Sequence, residues 1–143
     1  MKKIFLSLLM AGSFMLAVAA APNDKVLANF NRSFPSAQKV TWSEYPDAFV
    51  VYFVKGDEQC RLWYNKEGEV VKSIRYYERD LLHPFIRSKV EKRYKGWDIK
   101  FVTEVSSEEG TSYNVTVEKG NDWHSLMVNT YGQISVENKY RKR

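Results

Sequence analysis

A pattern that returns after 64 residues constrains this chain more than any single motif. Lys55-Gly56 recurs as Lys119-Gly120. At the same offset Leu62 answers Leu126, Asn65 answers Asn129, Gly68 answers Gly132, Val70 answers Ile134 and Tyr76 answers Tyr140. Upstream, Phe49, Val51 and Phe53 align with Tyr113, Val115 and Val117. At the helical segments the offset slips to about 60, so that Val26, Phe30 and Phe34 match Ile86, Val90 and Tyr94. The slip implies a longer connection at Ser106 to Gly110. The chain reads as two diverged copies of one helix-plus-three-strand unit.

Each copy opens with an amphipathic helix. In the first, Val26, Leu27, Phe30 and Phe34 recur at helical spacing, Asn23 or Asp24 can cap the start, and Pro35 cannot continue the ladder. In the second, Pro84 suits the first turn, Ile86, Val90 and Tyr94 form the stripe, and Gly96 is the stop. Predicted strands run over 39–44, 48–54, 59–64 and 69–76, and again over 99–105, 112–118, 123–129 and 133–139. Glycines in the hairpin loops allow positive φ. The expected fold is α+β: a tandem repeat of a helix plus an antiparallel meander, with the helices packed on one face of the sheet. The expected division is a signal peptide over 1–21, a first repeat over 22–79 and a second, diverged repeat over 80–143.

The N-terminus carries the signs of export. Lys2 and Lys3 precede an apolar run from Ile4 to Val18, and Ala17, Ala19, Ala20 and Ala21 offer small-residue cleavage sites. The run is too short to span a bilayer, so the expectation is a cleaved signal peptide, a periplasmic or secreted location, and no stable membrane insertion afterwards. No Cys follows the run to accept a lipid, and the Met-Lys-Lys start has a bacterial look.

The whole chain carries a formal charge of +5, of which Lys2 and Lys3 supply part and the Lys139, Arg141, Lys142, Arg143 tail much of the rest. Elsewhere the signs alternate, which suits a solvated surface better than a nucleic-acid groove, and no nucleic-acid partner is expected. Hydrophobic residues at 44% and aromatics at 15% suffice for a packed core. Cys60 is the only cysteine, so no intramolecular disulfide can form, and its place in an apolar strand reads as a buried small hydrophobe.

The string Phe34-Pro35-x-Ala37-x-x-Val40-x-Trp42, followed by an alternating strand and then Tyr64-Asn65-Lys66-Glu67-Gly68-Glu69-Val70, resembles the PepSY-like family. These are the beta-lactamase-inhibitor-like proteins exported by Bacteroidetes. The likeness covers the first half well. The second half keeps the helix, the strands and Gly132 but lacks the Pro-x-Ala and Trp signature. The resemblance implies a fold like the beta-lactamase inhibitor protein, a periplasmic or secreted location and no enzyme activity. Inhibition itself does not transfer, because fold does not fix function.

Catalytic and metal signatures are not found in the sequence. His83 and His124 have no other ligand at metal spacing. No nucleophile elbow and no phosphate-cradling glycine loop is present. Asp57-Glu58 and Glu108-Glu109 read as solvated loop acids, and Asn114-Val115-Thr116 as a chance sequon inside a strand. The expectation is no enzyme, no cofactor and no metal.

The positive signal is the strand alternation. If Phe49, Val51, Phe53, Leu62, Tyr64 and Val70 face the helices, the opposite face of the first meander carries Val50, Tyr52, Val54, Arg61, Trp63 and Val71. That face should be polar if it met only water. The second meander shows there Asn114, Thr116, Glu118, Ser125, Met127, Ser135 and Glu137, ordinary solvent chemistry. The candidate interaction residues are therefore Tyr52, Val54, Arg61 and Trp63, with Trp123 after its turn. The expected function is an exported binding module that holds or inhibits an envelope or secreted protein through its sheet face. The alternative is a small-ligand or envelope-glycan binder that stacks on exposed aromatics.

Overall fold

A computed structural model describes residues 21–143. The expected signal peptide lies outside these residues apart from Ala21. Helix α1 (Asp24–Ser33) leads into strands β1 (Gln38–Tyr45), β2 (Ala48–Lys55), β3 (Glu58–Tyr64) and β4 (Val70–Tyr77). A short 3-10 turn at Arg79–Leu81 and helix α2 (Pro84–Arg93) precede β5 (Asp98–Ser107), β6 (Gly110–Lys119), β7 (Asp122–Asn129) and β8 (Ile134–Arg141).

The expected tandem of helix-plus-meander units is overturned. All eight strands form one antiparallel meander in the order β1 to β8. β4 and β5 pair from Lys72–Ser107 to Tyr77–Val102, just as β3 and β4 pair on one side and β5 and β6 on the other. A sheet edge is a row of unpaired N–H and C=O groups, and pairing β4 to β5 removes two such edges from the middle of the molecule. That gain favours one continuous sheet over two separate four-stranded ones. The two short helices decorate the sheet and do not define units of it.

Both helices lie on the same face. α1 buries Val26 and Phe30 against Phe49, Val51, Phe53, Cys60, Leu62 and Tyr64. α2 buries Ile86 and Val90 against Val102, Val115, Val117, Leu126 and Val128. Asn23 caps α1 by accepting the Val26 N–H at 3.0 Å, and its Nδ2 donates to the Lys66 carbonyl, tying the helix to the β3–β4 turn. Gly68 in that turn has φ +90, and a Cβ there would stand 2.9 Å from Asn29 Nδ2, so only glycine lets α1 dock so closely.

Between the two helices the same face carries a polar knot. The Arg75 guanidinium donates to Glu58 at 2.8 Å and to Glu104 at 3.1 Å, and the Tyr77 hydroxyl donates to Glu104 at 2.5 Å. Burial, reinforced by the bond to Glu104, holds the Tyr77 hydroxyl far above the ordinary tyrosine range. A group whose folded pKa is raised contributes stability that is complete below its unfolded value and lost as pH climbs past it. Stability should therefore fall above pH ~10, and Tyr77→Phe should make that fall shallower by about 1.4 kcal/mol per pH unit. Urea unfolding of both proteins between neutral pH and alkaline pH checks this.

Candidate functional site

The helix-free face of the sheet is the candidate site, and register defines it. Tyr52 stands opposite Arg61, and Val50 opposite Trp63. Arg61 stands opposite Ile74, Trp63 opposite Lys72 and Gln59 opposite Tyr76. Side chains alternate between faces, so these residues point away from the buried Val51, Phe53, Cys60 and Leu62. Tyr52, Val54 and Trp63 are half-buried and Arg61 is exposed. The Tyr52 hydroxyl donates to Gln59 at 3.3 Å, and the Lys72 ammonium lies 5.1 Å over the Trp63 ring. The structure thus brings together four of the five residues singled out from sequence.

The fifth, Trp123, lies on the same face but on β7, four strands away, which at about 4.8 Å per strand is roughly 19 Å. Its ring is covered in part: Lys142 sits 4.2 Å above it and Phe101 stacks beside it at 6.5 Å. Its Nε1 is buried with no hydrogen-bond partner among the described residues.

Two residues missed from sequence connect these ends. Tyr76 on β4 is 40% exposed and Phe101 on β5 is 55% exposed. Both reach the open face because of bulges. The β3–β4 register slips between Trp63 and Tyr64, leaving Val71 as the extra residue, and the β5–β6 register slips between Ile99 and Phe101. A one-residue insertion flips every later side chain to the other face. Simple alternation from Val70 or Ile99 would have hidden both rings under the helices, and Val70 itself is exposed. The open face therefore bears a diagonal row of rings: Trp63 and Tyr52, then Tyr76, Phe101, Trp123 and finally Tyr140, which pairs with Trp123. A depression of about 390 Å³ opens between Tyr76 and Phe101, with Asp57, Gln59, Glu78 and Thr103 in its lining.

The cysteine and both histidines lie off the open face. Cys60 is buried on the helix side, and burial pushes its thiol up, away from the reactive thiolate. His124 is on β7, and four strand spacings, roughly 19 Å, separate it from Cys60 on β3. Its ring packs between Tyr94 and Trp97. His83 caps α2, its Nδ1 accepting the Phe85 N–H at 3.3 Å. Among the described residues no group of three or more His, Cys, Asp or Glu could hold a metal ion. Asn114 of the sequon is engaged by Ser125 and Glu137.

Comparison with solved structures places this architecture. A BLIP-like protein from Bacteroides fragilis superposes with a TM-score of 0.60 at 16% identity, over 87% of this chain and 90% of that one. A DUF2874 family protein from Bacteroides ovatus gives 0.58 at 20% identity, over 85% and 89%. A protein from Bacteroides eggerthii, named for an expected periplasmic location, gives 0.57 at 18% identity, over 85% and 90%. The fold is therefore BLIP-like. No model of a known protein family matches the chain, and no curated protein sequence matches it either. Among the described residues no helix is long and apolar enough to cross a membrane.

Proposed function

We propose that this chain is an exported, non-enzymatic binding module of the periplasm or cell exterior, and that it docks a protein partner on the open face of its sheet. The observation that carries the proposal is the row of rings Tyr52, Trp63, Tyr76 and Phe101 on a face with no helix over it. Aromatics flanked by Arg61 are the residue types that supply most binding energy in protein interfaces. The basic-apolar N-terminus and the likeness to a protein named for the periplasm support the location. The BLIP-like neighbour supports binding without chemistry. Kinship with the PepSY-like proteins belongs to the same proposal.

The depression between Tyr76 and Phe101 favours a second reading, a ligand or glycan site. Calorimetric titration of cell-envelope oligosaccharides separates the two. A binding isotherm lost on Phe101→Ala supports the glycan reading.

Tyr52→Ala and Trp63→Ala should each leave the melting temperature within a few degrees, because neither ring lies beneath a helix. A photo-reactive phenylalanine analogue at position 52 should crosslink one defined envelope protein, with Trp63→Ala abolishing the adduct and a probe at Lys25 giving none. A loss of several kcal/mol on either truncation would put that ring in the core. Identical crosslinking from both probe positions would end the proposal.

A further inference from the structure

A second surface, on the opposite side of the molecule, has a different character. Along α2 the residues Phe85, Lys89, Lys92 and Arg93 stand at i, i+4, i+7 and i+8 and so share one stripe. The stripe leans toward β8. Lys89 lies across the β7–β8 turn, where a Cβ on Gly132 would meet its Cγ at 2.7 Å, and Arg93 donates to the Ile134 carbonyl at 2.9 Å. The acid of this helix faces the other way: Glu91 is held by Arg79 at 2.7 Å beside the 3-10 turn. Lys139 of β8 joins the cations, since it pairs with His124, whose ring packs on Tyr94 and Trp97 on the helix side. Among the described residues Lys89, Lys92, Arg93 and Lys139 form no ion pair with a carboxylate.

Two rings stand among these cations. Phe85 is 45% exposed at the start of the stripe, and Tyr131, 80% exposed, caps the turn beneath Lys89. The Lys89 ammonium lies 5.3 Å over the Phe85 ring and takes up a face that a sugar would need for stacking. Exposed rings interleaved with unpaired cations match the headgroup region of an anionic bilayer, which accepts both. The turn beside α1 differs: it carries Glu67 and Glu69, and its one cation, Lys66, is paired with Glu44 at 3.1 Å.

We propose that the α2–β8 flank is a peripheral docking surface for anionic phospholipid, holding the protein against a membrane surface while the open sheet face stays free. The inference stands independently of the partner proposed for that face.

The test is sedimentation with phosphatidylcholine vesicles that do or do not contain phosphatidylglycerol, using the protein as recovered from the envelope with its N-terminus read by mass spectrometry. The unaltered protein should partition into the anionic vesicles and be released as salt rises. Lys89→Gln/Lys92→Gln should weaken that partition roughly 10- to 30-fold, at the usual contribution of a cation near an anionic surface. Phe85→Ser/Tyr131→Ser should weaken it about tenfold. Any membrane contact made by the N-terminal segment is common to all three proteins and cancels. Should a double variant fail to melt cooperatively, Lys92→Gln alone carries the test with a loss of about fivefold, because its side chain makes no bond in the structure. Equal binding to neutral and anionic vesicles overturns the proposal, as does undiminished anionic binding by either double variant. Affinity for heparin without affinity for vesicles also overturns it and points to an acidic glycan instead.

Discussion

Phe53→Ala should destabilise the whole molecule by about 3–5 kcal/mol, the range for removing a fully buried aromatic side chain. Phe53 has no exposed surface, and its ring meets Phe30 edge-on at 5.1 Å and Phe34 at 4.8 Å, so one truncation removes the centre of an aromatic cluster. That cluster is the principal attachment of α1 to the sheet. The more discriminating expectation concerns cooperativity. Because β4 and β5 are paired along their length, damage beneath α1 should lower the midpoint reported by Trp97, which packs in the other core cluster beside α2. Chemical denaturation followed by Trp97 emission, with Trp42, Trp63 and Trp123 replaced by Phe, and by far-UV dichroism should give one coincident transition. Two transitions, with the one seen at Trp97 left in place, would mean that the halves fold separately and that the continuous sheet adds little energy.

Most of the local structure was legible because turn chemistry and periodicity are local. Pro35, Pro84, Gly96 and the hairpin glycines bound the helices and strands within a residue or two of the observed ends. The alternation of Phe49, Val51 and Phe53 identified the helix-facing side of β2 correctly, although Val50 on the other face is buried as well. The arrangement was not legible in the same way. The recurrence at 64 residues suggests two units, and nothing in the residues of β4 or β5 announces that Lys72 to Tyr77 will pair with Val102 to Ser107. Non-local pairing leaves no mark on the pattern of either strand alone. The candidate site was half legible for a related reason. Tyr52 and Trp63 sit in unbulged stretches, where alternation holds. Tyr76 and Phe101 follow bulges at Val71 and Lys100 that shift the phase by one residue. Neither bulge is marked by a glycine, so the extra residue could not be seen from the sequence.

The open face depends on what lies behind it. Tyr76 and Phe101 project from β4 and β5, and the opposite side of those strands carries Arg75, Tyr77 and Glu104. Arg75→Leu should therefore be costly. It leaves Glu58 and Glu104, whose side chains are 15% and 16% exposed, with no cation and with two negative charges facing each other. Removing one partner of a fully buried ion pair costs roughly 3–5 kcal/mol; here water reaches part of the guanidinium, and about 2–4 kcal/mol is expected. Charge explains the loss, so its sign with pH is fixed. The deficit relative to the unaltered protein should be largest at neutral pH and shrink in acid, where protonation removes the charge from the orphaned carboxylates. Arg75→Leu/Glu58→Gln/Glu104→Gln should recover most of the stability at neutral pH, since replacing an entire partly buried ion cluster is often near neutral. Urea titrations of the single and triple variants at acid and neutral pH decide the matter. A deficit independent of pH, or one the triple variant fails to repair, would mean that Arg75 acts through the packing of its aliphatic stem and its guanidinium over the Tyr77 ring at 5.1 Å. The strands bearing Tyr76 and Phe101 would then be held by van der Waals contact and not by a charge network.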